Sequence, residues 1–202
     1  MREPVVFRSR FGQILTIAIV AVGLFVAVST AISGGILALV PYLPALGLVC
    51  VGTVALYWLP SVTVTDGSIT LRNVLRTIEL PWPSIGAVET RFALTLVTSF
   101  GTYTAWAAPA PGRFAVMGTG RDTKGLPEST FVNKSIRPGD DTSTDSGQAA
   151  LIVRLRWEAL QRAGYLDEAR LETERPRTQW HWVTISVLAG LLAATIAAFI
   201  LA

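Results

Sequence analysis

Chemistry needs nucleophilic or titratable side chains in groups, and this chain of 202 residues offers few of them. It has one histidine, His181, and one cysteine, Cys50. Cys50 lies inside an apolar run, and His181 stands between Trp180 and Trp182 at the mouth of another. A Ser–His–Asp or Cys–His relay needs its members within hydrogen-bond reach of one another, so none is expected in the polar middle of the chain. A single cysteine also excludes a disulfide framework and a thiolate metal centre. Asp140, Asp141 and Asp145 form a carboxylate cluster ahead of the expected helix. Metal sites need several converging ligands, and carboxylates amid Gly, Ser and Thr read as a solvated turn and a helix cap. "GTGRDTKG", residues 118–125, lacks the Gly-Lys-Ser/Thr ending of a phosphate-cradling loop. No enzyme activity, metal or cofactor is expected.

What remains is surface recognition. Arg72, Arg76, Arg91 and Arg113 flank expected strands or turns. Near a negative bilayer surface each such charge contributes about 1 kcal/mol, although basic residues also belong to the ordinary charged face of any soluble domain. Trp82, between Pro81 and Pro83, and Trp106 read as sheet and core packing ahead of a ligand cage. The four arginines and Trp82 are the candidate lipid- or partner-binding residues. Nucleic acid is not an expected partner: residues 60–179 hold fourteen Arg or Lys against thirteen Asp or Glu, so there is no basic stripe.

The elements that position these residues divide sharply by composition. The chain is 51% hydrophobic and 15% charged, with a mean hydropathy of +0.49, whereas soluble domains are about 25% charged. The charges concentrate between residues 60 and 179, the pattern of membrane spans joined to one soluble domain. The first span is expected over Ile14–Ser33 and the second within residues 42–60. Gly34, Gly35, Pro41 and Pro44 make an uncharged hairpin between them, and residues 180–202 form the third span. A cleaved signal peptide opens in the same way but carries a shorter apolar core, and here a second span follows at once, so an uncleaved anchor is expected. Arg2, Arg8 and Arg10 precede the first span, and Arg175 and Arg177 precede the third. By the positive-inside rule the N-terminus and the soluble domain face the cytoplasm, which makes this a multi-pass protein of the inner cell membrane. His181 reads as a residue at headgroup level in preference to a proton switch.

Within the soluble part, Val62 and Val64 alternate with Thr63 and Thr65, and Asp66-Gly67 supplies a hairpin turn. Ile69 and Leu71 continue the alternation, and a second turn over Arg72–Arg76 leads to Ile78 and Leu80. "PWPSIGAV" reads as a brief helical or irregular turn, with two or three further strands beyond it and a turn at Gly101. Closely spaced strands of this kind imply a small antiparallel sheet, curled or folded into a barrel. Residues 112–144 lose periodicity and read as a long mobile loop. A helix follows. Asp145 and Gln148 can form a capping box, and Leu151, Ile152, Leu155, Ala159, Leu160 and Ala163 form its apolar face. Arg154 and Glu158 are expected to pair on the other side, Gly164 to end the helix, and a second short helix to lead to the third span.

Assembled in order, "Val-X-Val-X-Asp-Gly-X-Ile-X-Leu-Arg-Asn" (residues 62–73), "ELPWPSIGAVETR" and Trp106-Ala107 with Pro109 resemble the small membrane-anchored PH-domain-like proteins of actinobacteria. The likeness spans most of residues 50–170. It implies membrane α-helices plus a soluble α+β part: three transmembrane helices with a PH-like curved antiparallel sheet closed by a C-terminal helix. The expected division is 1–60 for the N-terminal tail and transmembrane hairpin, 61–165 for the PH-like domain, 166–179 for a linker and 180–202 for the last span. Bacterial relatives mostly lack an assigned activity. Eukaryotic PH domains bind phosphoinositides through a basic loop between their first strands, but here that turn is "TDGS" and carries Asp66. The expected role is therefore non-catalytic: docking a membrane or cytoplasmic protein partner, or organising an envelope-associated complex. The alternative is an anionic-lipid headgroup sensor at the inner leaflet.

Overall fold

The structure, a computed structural model, describes residues 3–110, 130, 138–166 and 175–201. The chain forms two compact units, one of Ser9–Leu59 with Trp180–Ala202 and one of Met1–Arg8 with Pro60–Gln179.

The first unit holds three helices long and apolar enough to cross a membrane. Helix α1, Arg10–Gly34, starts one turn earlier than the apolar run suggests, because the Ser9 hydroxyl accepts the Gly12 N–H at 3.0 Å and caps it. After Gly35 the chain is helical again almost at once, through α2 (Ile36–Leu39), a 3-10 turn (Val40–Tyr42), α3 (Leu43–Thr53) and a π-turn (Val54–Trp58). The expected hairpin of irregular backbone is thus shorter than the prolines imply. Pro41 and Pro44 each fall in the first turn of a helical segment, where the missing N–H would have had no partner. Cys50 packs its sulfur against Gly23 of α1, as a small residue in a helix contact. The third such helix is α5, Trp182–Leu201.

The second unit contains two antiparallel sheets where one was expected, and neither closes into a barrel. The first takes the order β1 (Val5–Phe7), β2 (Ser61–Val64), β3 (Ser68–Arg72), β4 (Arg76–Pro81) and β8 (Arg177–Trp180). The second is β5 (Ile85–Glu89), β6 (Ala93–Thr98) and β7 (Gly101–Pro109). The alternation read from sequence holds: Val62, Val64, Ile69, Leu71, Ile78 and Leu80 all point into the core, with Leu94 and Leu96 from the second sheet. "WPS" is a 3-10 turn, as expected, but Ile85–Glu89 beyond it is strand. Strands β1 and β8 were not foreseen. Each is short and borrows its partner from the far part of the sequence, so local pattern alone does not announce it.

Helix α4, Asp145–Arg162, packs on the sheets through Ala149, Ala150 and Val153, with Trp157 and Leu160 beside them. This corrects the expected apolar face in part: Ile152 and Leu160 do pack against the core, beside a stripe that was not expected. The helix carries two stripes, and the buried one is built of small residues that a search for Leu and Ile passes over. Leu155, expected inside, is 47% exposed. The N-cap is Thr144, not Asp145: its hydroxyl accepts the Gly147 N–H at 3.0 Å. The C-terminus ends as expected at Gly164, with φ 75°, and the Gly164 and Tyr165 N–H groups return to the Gln161 and Leu160 carbonyls.

Most of 112–144, and the segment expected to form a second short helix, lie outside the described residues. The end of the supposed mobile loop is nevertheless structured: Pro138–Asp140 is a 3-10 turn, and Asp140 and Asp141 are buried.

Candidate functional site

The carboxylates that read as a solvated turn are the anchor of α4. Asp140 Oδ1 accepts from Arg154 Nη1 at 2.6 Å and from the Thr90 hydroxyl at 2.7 Å, while Arg154 Nη2 donates to the Val88 carbonyl at 3.0 Å. Arg154 is 4% exposed and Asp140 2%. Arg154 therefore does not pair with Glu158, which instead meets Arg162 along the helix at 4.0 Å. Asp141 Oδ1 accepts the Ser143 N–H, and the Ser146 hydroxyl donates to the Gly139 carbonyl at 2.7 Å. A side chain on Gly147 would collide with the Asp141 carbonyl, so only glycine fits where the turn meets the helix. The result is a rigid seat that fixes α4 against β5 and the β5–β6 turn.

Two residues further along α4, Arg156 forms an ion pair with Asp66 in the β2–β3 turn. That pair borders a groove of about 270 Å³ lined by Glu3, Val5, Val64, Asp66, Ile152, Leu155 and Arg156. Val5 is 46% exposed, and β1, which carries it, is an edge of the five-stranded sheet. Its outer side has no strand partner among the described residues. An unpaired strand edge beside an apolar, charge-rimmed groove is suited to an extended segment.

The residues singled out from sequence do not converge on this groove, and among the described ones only Arg72 and Arg76 come together. Arg72 ends β3 and Arg76 begins β4, so these two share one turn. Arg91 lies in the β5–β6 turn of the other sheet, its guanidinium 5.0 Å from the Phe92 ring centre. Trp82 is 2% exposed and its indole N–H donates to the Thr65 carbonyl at 3.0 Å, which makes it a core residue with no face to offer a ligand. Arg113 lies outside the described residues. Trp106, read as packing, is instead 53% exposed. Among the described residues no group of three or more His, Cys, Asp or Glu could hold a metal ion.

Asn73, between Arg72 and Arg76, acts as a single residue of strand along β7. Its Nδ2 donates to the Thr104 carbonyl at 2.9 Å and its Oδ1 accepts the Trp106 N–H at 2.8 Å, joining the two sheets. With the turn-strand-turn order, the Trp82 corner and the helix laid across both sheets now described, comparison with known families is direct. Residues 59–119 match the family model of the bacterial PH domain. No curated protein and no solved structure matches the chain. The matched stretch takes in β2 to β7, so β1, α4 and β8 are built around the PH-like portion by residues outside it. Asp66, in the β2–β3 turn of the matched stretch, is thus held by Arg156 of α4, which lies outside it. The PH-like portion indicates a binding module of the protein- or lipid-binding kind.

Proposed function

We propose that this chain is a non-catalytic, membrane-tethered PH-like module that docks a partner protein in the groove between β1 and α4. In doing so it organises an assembly at the cytoplasmic face of the inner membrane. The observation that carries this reading is the unpaired edge of β1 beside the exposed Val5 and Leu155, on a frame held rigid by the Asp140–Arg154 pair. An extended partner segment adding to β1 gains backbone hydrogen bonds along the edge and buries apolar side chains on Val5, Ile152 and Leu155. Glu3 and the Asp66–Arg156 pair at the rim set its register through charge. The arginines before the first and third spans support the cytoplasmic orientation. Headgroup sensing through Arg72, Arg76, Arg91 and Arg113 is the weaker reading, because the described ones among them divide between turns of two different sheets.

In-cell photo-crosslinking tests the proposal. Probes replacing Leu155 and Val5 are expected to capture the same protein, and a probe at the exposed Thr102 of β7 is expected to miss it. Adducts to lipid alone, or equal capture from all three positions, would sink the docking reading.

A further inference from the structure

We infer that the β3–β4 turn is a contact with the anionic surface of the bilayer that the chain's own spans cross, separate from the docking groove and independent of it. The argument begins with strand register. Phe7 pairs with Val62, and Ser61 pairs with Arg72. The chain therefore leaves this unit at Arg8 and enters it at Pro60 at the same end of the sheet that holds the β3–β4 turn. The β2–β3 turn at Thr65–Ser68 is at the opposite end. Ser61 is three residues beyond Trp58, the last residue of the second span. Three residues of chain reach at most about 11 Å, and adjacent strands lie about 4.8 Å apart. Arg72 is thereby held within reach of the interface by covalent geometry.

The residue types at this end fit that surface. Arg8, Arg72 and Arg76 supply positive charge, and the turn from Arg72 to Arg76 contains no acidic residue. Leu75, at the tip, is 43% exposed, and Trp106, held beside the turn by Asn73, is 53% exposed. An apolar residue flanked by arginines with a tryptophan alongside is the chemistry of a headgroup-level contact. A turn facing only water gains nothing from an exposed Leu and Trp together. Since Asn73 ties this turn to β7, contact with the bilayer also fixes the inclination of the second sheet.

The test uses the full chain with Cys50→Ala and a nitroxide spin label on Leu75→Cys, or on Gly67→Cys at the opposite end as a control. It is reconstituted in phosphatidylcholine vesicles with and without phosphatidylglycerol. Collision rates with oxygen and with a water-soluble nickel chelate report the depth of the label. With phosphatidylglycerol present, the label at 75 is expected to favour oxygen while that at 67 favours the chelate. Arg72→Gln with Arg76→Gln is expected to lower the equilibrium constant for surface contact about 30-fold, two charges' worth of attraction. Equal protection of residue 75 in both vesicle types overturns the inference, since a protein contact then covers the turn. So does protection in neither. Quenching of Trp106 by brominated lipid, taken as the difference from Trp106→Phe, gives a second reading that does not depend on labelling and is expected to follow the same lipid dependence.

Discussion

Replacing Asp140 with alanine is expected to lower the stability of the soluble unit by about 3–5 kcal/mol, because it leaves a buried guanidinium without its counter-charge. Arg154 is 4% exposed and would keep only the Val88 carbonyl, while the Thr90 hydroxyl would lose its acceptor as well. Domains hold only about 5–15 kcal/mol in total, so the variant should populate unfolded states at growth temperature. Replacing both members of the pair with apolar residues, Asp140→Leu with Arg154→Met, is expected to recover much of the loss, since desolvating a charge is then no longer required. Denaturant unfolding of the full chain in detergent, followed by amide exchange at Leu94 and Leu96, checks both. A single substitution costing under about 1 kcal/mol, the range of a surface ion pair, would mean that water reaches Arg154.

Trp82→Ala is expected to cost about 3–5 kcal/mol, as large-to-small changes at fully packed aromatic positions do. The ring sits in the corner between the first sheet and β5, and its N–H satisfies the Thr65 carbonyl at the β2–β3 turn. Trp82→Phe keeps most of the packing but leaves that carbonyl without its donor, and is expected to cost about 1–3 kcal/mol. Thermal unfolding measures both. A ligand-binding tryptophan behaves differently: it can be truncated with little change in stability and a large loss of affinity. Wild-type melting in Trp82→Ala would return the residue to the list of recognition candidates.

These two residues show where the sequence was legible and where it was not. The strands of the first sheet could be read because one face of each is buried and the alternation of Val, Ile and Leu with Thr and Arg registers that burial directly. The three long apolar helices were legible for a similar reason: uncharged runs of that length announce continuous helix long enough to cross a bilayer. The packing of α4 was not, because its buried stripe is Ala149, Ala150 and Val153, and small residues carry little hydropathy signal. Asp140 and Arg154 are 14 residues apart and look like surface charges until the fold brings them together. Likewise β1 belongs to the sheet only through a partner more than fifty residues away. The groove is made of these very elements, so Val5 and Leu155 could not be assigned to it from local pattern. Arginines at strand ends were visible, but their division between Arg72 with Arg76 in one turn and Arg91 in another needed the sheet topology.

The central claim, that a partner strand adds to β1, is tested most directly by amide hydrogen exchange over residues 3–8. Exchange in membranes prepared from the source cells is compared with exchange in the purified chain. Backbone N–H groups on a free edge exchange quickly, and those paired to an added strand do not. The account predicts that the amides of this segment facing away from β2 are protected in the native membranes and lose that protection on purification, with those facing β2 and those of β6 unchanged in both. Equal, rapid exchange of those outward-facing amides in the two preparations would contradict it.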